Sequence, residues 1–224
     1  VIVALPADHV IEEGEAFAGS IVHAVAAAEK GWLAILGVKP RHASSALGYI
    51  MPAAAIDGLP QVYHVGRFIE KPESVIAESL IAAGALWNAG IVVARADTVI
   101  DAMRRHEPAI LEAVERSLAA GGDDEGDDVQ LNADAFAAAP RISFDKAVLE
   151  REEAVGVTAL DAVWRDVGTW AEVAELYPAD GDGNRNRGRV HLSSSLDTFV
   201  FSPNRLTVGI GLKGLVVVDT PDVL

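Results

Sequence analysis

The chain has 224 residues, 50% of them hydrophobic and 23% charged, with a net charge of −15 and no cysteine. This is an ordinary globular composition, sized for one large domain or one domain with a small module. It excludes disulfides and thiolate metal sites, contains no run of about 18 apolar residues that would read as a membrane span, and offers no broad basic face for nucleic acid.

Val1 to Leu5 is an unbroken apolar run closed by Pro6, the pattern expected of a fully buried strand in a parallel sheet. Asp8 follows at once, and open α/β sheets bind ligands just outside the carboxyl ends of their strands. Asp is also a favoured helix N-cap, and position alone leaves both readings open. Glu12 to Lys30 is expected to be a helix with Phe17, Ile21, Val25 and Ala28 on one face and Gly31 as its stop. Trp32 to Val38 is a second buried strand, so this stretch reads as a right-handed βαβ unit. Residues 39–50 are expected to form a loop ending in Gly48-Tyr49-Ile50, and Gln61 to Glu70 an alternating, antiparallel strand.

Pro72 should open a helix from Glu73 to about Ala83. Trp87-Asn88-Ala89-Gly90 leads into a strand from Ile91 to Arg95. Asp97 to Ala120 is helical, and Pro108 should divide it into two helices. Gly121 to Asp128 is expected to be a solvated acidic loop. A short helix over Leu131 to Ala139 precedes another that begins at Ser143, with Ser143 as cap and Lys146 at the third position. Ala154 to Ala159 is a strand, and Trp164 to Trp170 a turn into a helix ending near Tyr177.

Asp180-Gly181-Asp182-Gly183-Asn184 is a turn-rich linker, followed by short strands over Arg189–Leu192, Thr198–Phe201, Leu206–Ile210 and Leu215–Asp219. That spacing suits the start of a small all-β module of β-solenoid type. The linker fails as a calcium loop, because Arg185 and His191 stand where Gly and Glu are needed. The expected division is therefore a catalytic α/β domain over 1–179 and a linker with a β module over 180–224. The fold class expected is α/β, with a mixed, mostly parallel sheet flanked by helices. Because the first residues already read as a central strand, the chain is expected to be a piece of a longer protein that lacks an N-terminal segment. The zero cysteine count fits the cytoplasm.

Asp8 and Asp166 each sit in a strand-to-helix loop. Two such carboxylates could hold Mg²⁺, which takes hard oxygen ligands and often only one or two carboxylates beside substrate phosphates; alternatively both are helix caps. Lys71 could hold a phosphate as a point charge, and Glu70 could accept sugar hydroxyls; the alternative is an exposed charged pair. Asn88 both donates and accepts, which suits vicinal hydroxyls, and Gly90 lets the backbone approach a ligand closely; the alternative is a tight turn beside a core Trp. The six histidines show no metal-ligand spacing, and no nucleophile elbow, triad or thiol is present. Oxygen ligands, a phosphate-binding Lys and sugar-type polar groups point to in-line phosphoryl transfer.

Six motifs stand in order: LPADH (Leu5–His9), GYI (Gly48–Ile50), FIEKP (Phe68–Pro72), WNAGI (Trp87–Ile91), SFDKAVLE (Ser143–Glu150) and DVGTW (Asp166–Trp170). Together with the tail at Ile210–Asp222, they resemble the mannose-1-phosphate guanylyltransferases, or GDP-mannose pyrophosphorylases, over nearly the whole chain. The resemblance implies the nucleotide-diphospho-sugar transferase fold, with its mixed sheet flanked by helices and a short β-rich tail. It implies a Mg²⁺-dependent reaction of GTP with mannose 1-phosphate to give GDP-mannose and pyrophosphate, with no part for nucleic acid or membrane. Asp8 and Asp166 would be the metal ligands, and with Lys71 the catalytic set. Glu70 and Asn88 would hold the sugar hydroxyls, Lys71 the sugar phosphate, and Gly48 and Gly90 close backbone contacts. Tyr49 stands in the same substrate loop as Gly48, and Asp145 and Lys146 would be accessory residues near the site.

Two departures are visible. The loop before Gly48 reads Ser45-Ala46-Leu47 where the family has Thr-Gly-Tyr, and the family's glycine-rich GGxGTRLxP loop is absent. That loop would cradle the nucleotide phosphates, so these residues alone are expected to be inactive or very weak. Other readings are a sister sugar-1-phosphate nucleotidyltransferase and a non-catalytic sugar-phosphate-binding paralogue without the loop. A homodimer through apolar Leu206, Val208 and Val216 to Val218 is a further expectation.

Overall fold

A computed structural model describes residues 1–12, 14–121 and 129–224. The acidic loop lies almost wholly outside the described residues, with only Gly121 inside them. Among the described residues, no helix is long and apolar enough to cross a membrane. The chain forms two compact units. The first holds Val1–Ala7 and Ile11–Trp164, the second Asp8–Val10 and Arg165–Leu224. The expected boundary at 179/180 falls inside the second unit, in the turn that precedes its long strands.

In chain order the elements are β1 (Ile2–Ala4), β2 (Val10–Ile11), α1 (Gly14–Glu29), β3 (Leu33–Val38), β4 (Tyr49–Ala55), β5 (Val62–Ile69), α2 (Ser74–Ala82), β6 (Leu86–Ala94), α3 (Ala96–His106), α4 (Pro108–Ala119), α5 (Ala133–Ala137), a π-helical turn (Asp145–Leu149), β7 (Val155–Ala159), β8 (Trp164–Arg165), α6 (Trp170–Glu175), β9 (Arg185–Ser193), β10 (Phe199–Ile210) and β11 (Val216–Val218).

The first unit is built on a six-stranded sheet in the order β1-β6-β3-β7-β5-β4. The expected mixed sheet flanked by helices is present, but adjacency and direction differ. β1, β3, β7 and β4 run the same way, yet only β3 and β7 are hydrogen-bonded neighbours in parallel. β6 enters between β1 and β3 and opposes both. The two ends of the expected βαβ unit are therefore not neighbours. β4 also pairs with the first two residues of β6, so the strand order returns on itself.

β3 is buried along its whole length, as its apolar run demands. Its side chains alternate between two core clusters. Ala34, Leu36 and Val38 face Ala24, Ala27 and Ala28 of α1, while Leu33 and Ile35 face Ala102 of α3 and Ala147 to Leu149 of the π turn. Helices thus cover both faces of this strand, and truncating one of its large residues to Ala should cost about 2–5 kcal/mol. Pro108 opens α4 at its first turn and separates it from α3, because its missing N–H costs nothing there.

Three expectations are corrected. Among the described residues β1 has β6 alone beside it and is an edge strand rather than a buried one: Ile2 is 45% exposed and Val3 41%. The segment read as a loop up to Ile50 runs on into β4, which the sequence hid behind Pro52. Proline lacks the ladder N–H, and the register with β5 shifts at Met51/Pro52 to accommodate it. Trp87 to Gly90 is not a turn but lies inside β6. There β6 advances from Val92 to Asn88 while β3 advances only from Ile35 to Gly37. The extra residues form a bulge, and Gly90 supplies it with φ +70°.

The second unit contains the parallel strands β9, β10 and β11. Parallel neighbours joined by short connections require the chain to coil. Phe199 lies beside Arg185, a step of 14 residues, whereas past the register shift Val190 lies beside Thr207, and likewise Leu196 beside Lys213 and Phe199 beside Val216, a step of 17. The short β-rich segment expected here is present, except that residues 199–201 and 206–210 belong to one strand, β10. Its register with β9 shifts between Ser202 and Thr207. At that shift Asp219, buried, accepts from Ser202 Oγ and Arg205 Nε, both at 2.8 Å. These bonds hold its carboxyl below the usual carboxylate range.

Candidate active site

In the first unit, β5, β6 and the π turn bring four of the expected residues together. The bulge in β6 sets the direction of Asn88, which is 8% exposed. Its Nδ2 donates to Asp145 Oδ1 at 2.9 Å, and its Oδ1 accepts the Gly90 N–H at 3.2 Å. Those two bonds fix which way the amide points. The Asn88 N–H donates to the Gly48 carbonyl at 2.8 Å. A Cβ on Gly48 would stand 2.6 Å from Glu70 Oε2 and 3.4 Å from Asn88 Cβ. Gly48 is thus the floor over which the carboxylate and the amide converge, and a larger residue there would displace the Glu70 carboxylate.

The Glu70 side chain is 9% exposed, with Oε1 3.6 Å from the exposed Lys71 ammonium. Burial, and then the charge of Asp145, raise its carboxyl above the usual value, against the pull of Lys71 and Lys146. Lys71 has φ +50°, a left-handed conformation rare for a residue with a side chain, so the backbone is strained where this Lys leaves the strand. Lys146 is exposed, and its N–H donates to Ser143 Oγ at 3.4 Å, as the expected cap requires. Tyr49 is wholly buried. Its hydroxyl donates to the Ser44 carbonyl at 3.0 Å and accepts the Ser44 N–H at 2.9 Å, so it shapes the loop before Gly48.

Two features of this region escaped the sequence. The Glu70 N–H donates to Glu150 Oε1 at 3.0 Å, across 80 positions that no local pattern links. An open cavity of about 340 Å³ lies at the carboxyl ends of the parallel pair β3 and β7, lined by Val38, Lys39, Arg41, Leu160, Asp161 and Trp164 among others. The carboxyl end of parallel strands is the expected place for a ligand, so the Lys-Pro-Arg sequence after β3 was the available signal.

Asp8 and Asp166 both belong to the second unit. His9, next to Asp8, places Nε2 3.2 Å from Asp166 Oδ1. The Asp166 side chain is 31% exposed, and Asp8 is exposed. Val167, the next residue, has φ +55°, which for a β-branched side chain is a strained conformation. Thr169 then caps α6 with Glu172 in a reciprocal capping box. Asp166 is therefore not the cap of that helix, and its carboxylate is left to other partners. Among the described residues no group of three or more His, Asp or Glu could hold a metal ion alone. The His9 contact sets the segment that carries Asp8 beside Asp166, and Mg²⁺ is an ion that often takes only one or two carboxylates.

The sequence profile of the nucleotidyl transferase family matches residues 1–182. The chain is 36% identical over 219 residues to xanthan biosynthesis protein XanB of Xanthomonas campestris pv. campestris (strain B100), covering 97% of this chain and 46% of that protein. It is 34% identical over 220 residues to a mannose-1-phosphate guanylyltransferase of Escherichia coli, covering 97% and 46%. The chain thus spans just under half the length of these relatives. A crystal structure described as a mannose-1-phosphate geranyltransferase from Thermus thermophilus superimposes with a TM-score of 0.84 at 30% identity, over 98% of this chain and 63% of that one.

Proposed function

The chain belongs to the nucleotidyl transferase family, and from that premise we propose that the complete protein joins GTP to mannose 1-phosphate, releasing GDP-mannose and pyrophosphate. The observation that carries this reading is the convergence of Glu70 and Asn88 over Gly48, with Asn88 oriented by Asp145. A carboxylate beside a fixed amide is the donor and acceptor set that vicinal sugar hydroxyls need. The name of the Escherichia coli relative supplies mannose 1-phosphate as the sugar.

In this reading Glu70 accepts from sugar hydroxyls and Asn88 both donates and accepts. The Lys71 ammonium holds the sugar phosphate, which lowers the entropy cost of presenting its oxygen to the α-phosphorus of the nucleotide. That oxygen forms the new P–O bond as the bond to pyrophosphate breaks, so no covalent enzyme intermediate is required. Asp8 and Asp166 would hold Mg²⁺, and bound Mg²⁺ supplies charge neutralisation at the phosphates. His9 orients Asp166 through the 3.2 Å contact at Oδ1. A homodimer through the exposed apolar residues Leu206 and Val208 of β10 completes the proposal.

The test is direct. The complete gene product is incubated with Mg²⁺, GTP and mannose 1-phosphate, and pyrophosphate and GDP-mannose are measured. Release that requires both substrates supports the reading. Release with a different nucleotide or sugar 1-phosphate would reassign the substrates. No release with any such pair would overturn nucleotidyl transfer.

A further inference from the structure

We infer that Glu150 is a positioning residue for the sugar side of this site, acting through the backbone of Glu70; the inference rests on the reading of Glu70 and Asn88 as the sugar-binding pair. The ladder of β5 with β4 ends at Ile69, opposite Tyr49. The next N–H, that of Glu70, lies beyond that ladder and donates to Glu150 Oε1 at 3.0 Å. A carboxylate acceptor makes this a charge-assisted bond, stronger than a neutral one. It sits one residue before Lys71, where the backbone holds φ +50°. A conformation of that kind persists only where its surroundings over-determine it.

The π turn explains why Glu150 serves this role. The Glu150 N–H reaches back to the Asp145 carbonyl at 2.9 Å, closing one widened turn. Asp145 at its start holds the Asn88 amide, and Glu150 just past its end holds the Glu70 backbone. Between them Ala147, Val148 and Leu149 are at most 2% exposed and locked in the core. Just after Glu150, Arg151 Nη1 donates to the His106 carbonyl at 3.0 Å and to Glu107 Oε1 at 2.9 Å, and Glu152 is bound by Arg105. One anchored turn therefore fixes both members of the pair, one through its side chain and the other through its main chain.

The test uses Glu150→Ala and Glu150→Gln in the complete gene product. Gln keeps an oxygen that can accept the Glu70 N–H; Ala does not. In Glu150→Ala the KM for mannose 1-phosphate should rise about five- to tenfold, the worth of one such bond, with the KM for GTP unchanged. Glu150→Gln should stay near the parent protein. In parallel, amide hydrogen exchange at Glu70 in the unliganded protein should quicken in Glu150→Ala and not in Glu150→Gln. Unchanged exchange in Glu150→Ala, an unmoved sugar-phosphate KM, or equal impairment in both variants would overturn the inference. If the parent protein makes no pyrophosphate, calorimetric binding of mannose 1-phosphate replaces KM. Failure of the proposed reaction is then read separately from failure of the Glu150 contact.

Discussion

Asn88 Nδ2 and Asp145 Oδ1 meet at 2.9 Å although they lie 57 residues apart, and this bond decides which face of the Asn88 amide is free for a ligand. Asp145→Ala should leave a buried amide donor unpaired and able to rotate. Stability should fall by about 1–3 kcal/mol, and affinity for mannose 1-phosphate by roughly tenfold. Asp145→Asn, which can still present an oxygen, should lose less of both. Denaturant unfolding and calorimetry on the two variants check this.

Gly48→Ala tests the convergence itself. The new methyl would meet Glu70 Oε2 at 2.6 Å and the Phe68 ring at 3.2 Å. Glu70 must swing away, so sugar-phosphate binding should fall by at least about tenfold while the strained packing costs about 1–3 kcal/mol. Loss of stability with full binding would mean that Glu70 does not touch the sugar.

The raised Glu70 carboxyl sets a pH dependence. Its folded pKa lies above the ordinary 4.5, so the folded chain holds this proton more tightly than the unfolded chain. Its contribution to stability is complete below the unfolded pKa and is lost as pH rises through the folded one. At neutral pH the ionised group therefore weakens the fold. Glu70→Gln should raise Tm at about pH 7 and abolish sugar-phosphate binding, and its Tm advantage should vanish below about pH 4, where the parent carboxyl is also neutral. Scanning calorimetry of both proteins between these limits reads the sign.

Asp166→Asn in the complete gene product should leave folding intact, because the side chain is partly exposed and α6 is capped by Thr169 instead. Turnover should fall on the order of a thousandfold, matching the several kcal/mol that a metal site contributes to charge stabilisation. Normal Mg²⁺-dependent rates in that variant would remove Asp166 from the metal site.

The elements legible in the sequence were those fixed by local rules. β3 showed as an apolar run, and the division of α3 from α4 showed at Pro108. β4 was hidden by Pro52, whose missing N–H is tolerated through a register shift that composition does not record. The exposure of β1 depends on how many neighbours it has, and only the course of β6 determines that. In the site, the motifs around Glu70, Asn88 and Asp145 were legible one by one. Their mutual hydrogen bonds were not, because each links segments that chain order keeps far apart.

The insertion of β6 between β1 and β3 also governs the order in which the chain can assemble. As residues emerge from the ribosome in sequence, β1 meets its partner among the described residues, β6, only when Ala94 has been made. β3 lacks its parallel partner until β7, ending at Ala159, is available to lie between it and β5. Most of the first unit must therefore be synthesised before its sheet can close. Until β6 is made the apolar strand β3 has both edges open, and until β7 is made it keeps one, so this stretch of synthesis is where aggregation or chaperone capture should concentrate.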